Sequence, residues 1–151
     1  MKIATKYQGE INVDDCDIIE FPYGLPGFLH EKQFVVSPFS ENTPFFILQS
    51  ANTPSLAFVI ADPFIFFNHY HFDLPDSVAE QLEIKTGNDV SVYVVLTLGD
   101  PFEKTTANLK APLVIHYGAR KGRQLVLDAS AYETKHFLVT PAPNGTEAER
   151  C

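Results

Sequence analysis

The sequence has no tryptophan, a single methionine and only two cysteines, Cys16 and Cys151. Cys16 lies in an acidic turn and Cys151 is the last residue, so this pair does not predict a structural disulfide. Its apolar runs are far shorter than the roughly 18 residues that a membrane-spanning helix needs. The first residues, MKIATKYQGEI, contain no apolar core of a secretion signal. We therefore expect a soluble protein of a reducing cytoplasm, with no membrane partner.

Basic side chains are also scarce. The chain has 11 lysines and arginines against 19 acidic residues, for a formal net charge of −8. Between positions 7 and 84 Lys32 is the sole lysine or arginine. Direct nucleic-acid binding is not expected, because phosphate contacts need a basic face. The acidity favours a basic protein partner, or else serves only solubility.

Aromatic residues are abundant, with 13 phenylalanines and six tyrosines. They favour strands, and many short apolar segments are bounded by glycine, proline or asparagine. The pattern predicts a mainly β protein, a small antiparallel β-barrel or sandwich-like single domain over residues 1–140. A Pro-, Gly- and charge-rich tail, 141–151, is expected to be disordered. The predicted strands are 2–5, 10–13, 18–21, 34–36, 45–49, 56–61, 90–98, 106–109, 113–117 and 124–127, with 90–98 the longest and central one.

One short α-helix is predicted at about 75–83. Pro75 suits the first helical position, and an acidic residue suits the positive end of the helix dipole. Leu74, Val78 and Leu82 recur every four residues and so mark one buried face. A turn at 86–88 is expected to stop the helix, and 29–33 is a candidate helical turn.

The segment Phe64-Ile65-Phe66-Phe67, followed by Tyr70 and Phe72, is unusually aromatic. As a strand it would turn alternate side chains to opposite faces. Part of the aromatic set would then point outward beside acidic residues, as a protein-binding surface requires. A strand buried on both faces, or a packed irregular loop, explains the same pattern without a partner.

His69 and His71 are the only histidines with a spacing that suits a metal. On a strand, side chains two residues apart point the same way and could share an ion. Asp73 is a possible third ligand. A metal-dependent β-barrel enzyme is therefore the alternative from another functional class, although two surface histidines explain the pattern equally well. Three cations in the segment 118–123 suggest either a contact with an acidic partner or RNA, or a solvated hairpin tip.

No motif for a catalytic nucleophile, a nucleotide or another cofactor occurs. The sequence has no G-x-S-x-G elbow, no Walker motif and no G-x-G-x-x-G fingerprint. Cys16 lies between carboxylates that disfavour its thiolate. We therefore expect no enzymatic activity and no cofactor.

Taken in order, seven segments of the sequence resemble the FliW family of bacterial flagellar assembly factors, and the resemblance extends over residues 1 to about 140. Most of these motif positions are glycine, proline or apolar, so they indicate the fold more than a contact site. The segments are TKYQGEI (5–11), FPYGLPGF (21–28), PFFILQS (44–50), LAFVIADPF (56–64), FDLP (72–75), TANLKAPLVI (106–115) and RKGRQ (120–124).

The resemblance implies a compact β-barrel-like protein without enzymatic activity. It implies that the protein binds newly made flagellin and, when free, binds CsrA, an RNA-binding repressor of flagellin translation, and so relieves repression. A flagellin export chaperone with no regulatory role is the nearer alternative. Together with the charge pattern, the resemblance points to an apolar and an acidic set of contact residues. The apolar candidates are Phe64, Phe66, Phe67 and Tyr70, and the acidic ones are Asp73, Asp76, Glu80 and Glu83.

Overall fold

A computed structural model of the protein describes residues 2–40, 43–127 and 132–138. These residues form short strands, two short helices and three single 3-10 turns. The strands are β1 Lys2–Ala4, β2 Glu10–Asn12, β3 Ile19–Glu20, β4 Gln33–Pro38, β5 Phe45–Ser50, β6 Ala57–Ala61, β7 Ser91–Thr97, β8 Thr106–Ala107, β9 Leu113–His116, β10 Lys121–Gln124 and β11 His136–Phe137, and the helices are α1 Pro63–Phe66 and α2 Asp76–Gln81.

Seven strands close into a barrel in the order β7-β6-β5-β4-β3-β10-β9, because β9 pairs back onto β7. All neighbours are antiparallel except β3 and β10, which run parallel through Lys121 and Glu20. Strands β8 and β11 extend the sheet beyond β7, and β1 and β2 form a separate hairpin. The predicted fold, a mainly β protein built as a small antiparallel barrel, is confirmed.

Strand β7 holds the closure together. Its first residues pair with β9 over Ser91–Tyr93, its middle residues pair with β6, and its last residues pair with β8. The prediction that this segment is the longest and central strand is confirmed.

The barrel interior is filled by large apolar side chains that alternate along the strands. Phe21, Phe34, Leu113 and Ile115 are fully buried there. Val114 lies between the last two on β9 and points the opposite way, because neighbouring strand residues face opposite sides. It packs under α2, so this part of the barrel wall is covered on both faces.

Helix α2 lies where the four-residue spacing of Leu74, Val78 and Leu82 predicts it. Val78 and Leu82 are buried against Val114, and Leu74 is half-buried beside them. The predicted stop at 86–88 is wrong. Glu83 takes a left-handed conformation (φ 59°), and Ile84 N–H bonds back to the Ala79 carbonyl at 2.8 Å.

Two predicted segments differ in the structure. The hairpin tip after β9 lies at 117–120, with Arg120 in the left-handed region (φ 56°), so β10 begins at Lys121 and not at 124. The candidate helical turn at 29–33 is wrong as well, because Gln33 begins β4 and only Leu29 and His30 form a turn.

Strand β11, which pairs with β8, was not predicted from the sequence. The expected disordered tail, 141–151, lies outside the described residues. No helix in the described ranges is both long and apolar enough to cross a membrane.

Gly122 of β10 provides a test of the barrel packing. A methyl group there would lie 2.7 Å from the Cζ atom of the fully buried Phe21. Gly122→Ala should therefore lower the free energy of unfolding by about 1–3 kcal/mol, measured by urea denaturation. Gly87→Ala is the matched control, since its new methyl group meets no atom within 4 Å. Equal unfolding midpoints for the two variants would contradict this packing.

Candidate functional site

An apolar groove of about 460 Å³ lies on the outer face of the barrel, beside α2. Its floor is formed by Val92 of β7 and Val114 of β9. One wall comes from the aromatic segment 64–74, and the opposite wall comes from 84–90 with Ala79 of α2. The stretch 64–92 and the distant Val114 of β9 therefore build one concave apolar surface.

The aromatic wall begins with α1, which sequence reasoning had treated as a possible strand. Asp62 caps this single helical turn, since its Oδ1 accepts from the Phe64 N–H at 2.8 Å and Pro63 occupies the first turn. The strand interpretation of 64–67 is therefore wrong. The helical turn leaves Phe64 45% exposed, with its ring 5.9 Å from that of Tyr70.

Tyr70 fixes this wall to the barrel. It is only 4% exposed, and its hydroxyl donates to the Leu109 carbonyl at 2.7 Å. Its ring packs against Tyr132 and Phe72, with centroids 4.7 and 5.7 Å away. Burial raises the pKa of Tyr70, so the hydroxyl stays protonated and keeps its hydrogen bond.

The four apolar candidate residues are thus divided between two places. Phe64 and Tyr70 line the groove, Phe64 with exposed surface and Tyr70 from beneath. Phe66 and Phe67 are half-buried and do not line the groove. Phe66 stacks on Phe45 at 5.9 Å, and Phe67 meets the edge of His136 at 6.3 Å.

The opposite wall is held by two side chains that sequence reasoning did not single out for it. Asp89 Oδ2 accepts from the backbone N–H groups of Lys85 (2.9 Å) and Thr86 (3.1 Å), which lowers the pKa of Asp89. His116 Nδ1 lies 2.8 Å from the Leu82 carbonyl, and its Nε2 lies 4.0 Å from Asp89 Oδ1. His116 therefore connects the end of α2 to the turn that follows.

The acidic candidates lie on and around α2. Asp73, Asp76 and Glu80 are exposed and make no ion pair within the described residues. Asp76 and Glu80 are four residues apart in the helix and share one face. Glu83 differs, because its carboxylate accepts from Lys121 Nζ at 2.6 Å, and this bond lowers the pKa of Glu83.

Of the two histidines of the metal hypothesis, His69 lies in a turn and His71 in irregular backbone, so the premise of a strand with side chains pointing the same way is wrong. His69 and His71 are both exposed, and the His71 Nδ1 atom lies 3.2 Å from the His69 carbonyl. In the described part of the chain, no three histidine, cysteine or carboxylate side chains are grouped to hold a metal ion.

The basic residues of 118–123 contact the protein itself. Arg120 donates to the Asp15 carbonyl at 3.1 Å. Arg123 donates to the Gln81 side chain, and its guanidinium lies over the Tyr23 ring at 4.6 Å. With Lys121 held by Glu83, this segment attaches the N-terminal loops and α2 to β10.

His116→Ala should loosen the groove wall. The Leu82 carbonyl would lose its partner, so the free energy of unfolding should fall by about 1–3 kcal/mol. His116→Asn keeps an N–H donor and should recover part of this loss. His69→Ala, at an exposed position, serves as the control in the same urea titration. A midpoint for His116→Ala equal to that of the control would show that the contact does not hold the wall.

Comparisons with known proteins agree with this architecture. The family model described as FliW protein matches residues 2–138. The flagellar assembly factor FliW of Geobacillus thermodenitrificans is 54% identical over 138 residues, covering 91% of this chain and 95% of the relative. The protein of that name from Bacillus subtilis is 50% identical over 136 residues, covering 90% and 95%.

A solved structure agrees as well. The crystal structure of the flagellar assembly factor FliW superposes with a TM-score of 0.89 at 51% identity, covering 93% of this chain and 99% of that one. The family match spans the barrel, the relatives are covered almost in full, and the fold is shared. This chain therefore belongs to the FliW family of flagellar assembly factors and has a role in flagellar assembly.

Proposed function

We propose that this protein is a non-enzymatic, cytoplasmic partner switch of flagellar assembly. In its first state the apolar groove holds flagellin. In its second state, once flagellin has been secreted, the free protein binds CsrA and prevents it from repressing flagellin translation. Both partners are those that the family resemblance implies.

The observation that carries the proposal is that two chemically different surfaces share helix α2. Ala79 of this helix lines the apolar groove, whereas Asp76 and Glu80 are exposed to solvent. A groove of this kind suits the apolar face of a helix, which is a common mode of peptide recognition. The carboxylates suit a basic surface, and an RNA-binding protein must present one.

The common helix makes competition the expected behaviour. A flagellin helix seated in the groove would lie beside α2, and a repressor docked on the carboxylates would occupy the adjoining surface. The negative field of those carboxylates would also repel RNA phosphates from a bound repressor.

Phe64→Ser tests the flagellin site. The change removes the exposed aromatic ring of the groove wall, and truncating such an anchor typically costs ~1–2 kcal/mol, or roughly tenfold in affinity. Isothermal titration with monomeric flagellin measures the loss. Phe137→Ser removes an even more exposed phenylalanine away from the groove and should leave the affinity unchanged. Equal affinities for the two variants would exclude the groove as the flagellin site.

Charge reversal of Asp76 and Glu80 to lysine tests the CsrA site. Binding of CsrA should weaken by roughly tenfold or more, mainly through slower association at low salt. The matched control is the double variant Glu103→Lys and Glu133→Lys, which makes the same charge change at exposed positions elsewhere. Glu83 is left intact, because its pairing with Lys121 would confuse a loss of binding with a loss of structure.

A titration with both partners separates the proposed function from its alternative. Binding of CsrA that flagellin abolishes is the expected result. Binding of flagellin with no binding of CsrA would instead identify an export chaperone without a regulatory role. If neither partner binds, the proposed function is wrong.

A further inference from the structure

The groove has a charge character unlike that of the whole molecule. The chain carries 19 carboxylate residues and a net charge of −8, yet none of the described residues that line the groove is an aspartate or a glutamate. Its ionisable lining residues are Tyr70, His71 and Lys85. Tyr70 is uncharged and bonded to Leu109, so the lysine ammonium is the one permanent charge among the lining residues that the structure describes.

The backbone of Lys85 is held by a hydrogen bond, whereas its side-chain ammonium has no bonding partner among the described residues. Its backbone N–H donates to Asp89 Oδ2 at 2.9 Å, which sets where the side chain leaves the wall. Its ammonium makes no salt bridge or hydrogen bond with any residue that the structure describes.

The nearest carboxylates along the chain already have other partners. Glu83 pairs with Lys121 at 2.6 Å, and Asp89 accepts backbone hydrogen bonds and faces His116. Several groups lower the pKa of these two carboxyl groups, and the charge of Lys85 contributes the least of them. An exposed cation beside an apolar groove is therefore available to a carboxylate of the occupant.

We infer that the groove recognises an apolar helical segment that bears a carboxylate next to its apolar face, and that this carboxylate pairs with Lys85. The inference rests on the proposed function, in which the segment belongs to flagellin. The apolar floor supplies contact area without direction, because apolar contacts are not directional. A single ion pair at one rim would fix the orientation and register of the helix, which is the usual contribution of charge at an interface.

Zero-length cross-linking tests the contact directly. A carbodiimide joins an amine to a carboxylate only when the two groups meet, and the product is an amide that mass spectrometry can locate. In the complex of the full chain with monomeric flagellin, we expect an amide between Lys85 and an aspartate, a glutamate or the terminal carboxylate of flagellin. A complex in which Lys85 forms no such link, while other intermolecular links are found, overturns the inference.

Titration of charge variants provides the second test. Lys85→Glu should weaken flagellin binding at least tenfold at low salt, and Lys85→Arg should retain most of the affinity. Lys104→Glu makes the same charge change at an exposed position outside the groove and should alter affinity less than twofold. The difference between Lys85→Glu and wild type should shrink as salt is raised, since salt screens exposed charges.

The possible results distinguish this inference from the function on which it rests. If Phe64→Ser weakens flagellin binding and Lys85→Glu does not, the groove is the site and the ion-pair inference is wrong. If wild-type protein binds no flagellin, both are wrong. Self-association of the wild-type chain that Phe64→Ser abolishes would assign the groove to a second copy and overturn the inference.

Discussion

The pairing of β9 back onto β7 is the interaction on which the rest of the structure depends. It joins the free edge of β9 to β7 and closes seven strands into a barrel, so the β9 edge is no longer open to pairing with another chain. It also determines the outer surface. Val92 on β7 and Val114 on β9 become neighbours there, and these two side chains form the floor of the groove.

The surface beside this closure combines rigid and charged parts. The aromatic wall is tied to the barrel by the Tyr70 hydroxyl, and the opposite wall is tied by His116 and Asp89. Because both walls are held by polar contacts behind the groove, its lining can stay apolar. Helix α2 then separates an apolar region from an acidic one, which is why two dissimilar partners are proposed to meet on one small domain.

Sequence patterns identified most of the barrel and little of the groove. Short apolar segments bounded by Gly and Pro predicted the main strands, because those residues are unfavourable in the interior of a strand. The strand interpretation of 64–67 failed because it overlooked the Asp62-Pro63 pair as a helix-start signal. Strand β10 was misplaced and β11 was missed, since long-range pairing defines such short strands. The groove forms only when the loops, helix and strand of 64–92 fold against each other and against Val114, so local periodicity could only suggest Phe64 and Tyr70.

The parallel pairing of β10 with β3 has a consequence for biosynthesis. The ring of strands is completed by residues 113–124, which must contact both β7 and the early strand at Ile19–Glu20. A ribosome-bound chain that ends before this segment has its N-terminal strands exposed but cannot close them. The barrel consequently cannot close, and the groove cannot form, until the segment 113–124 has left the ribosome.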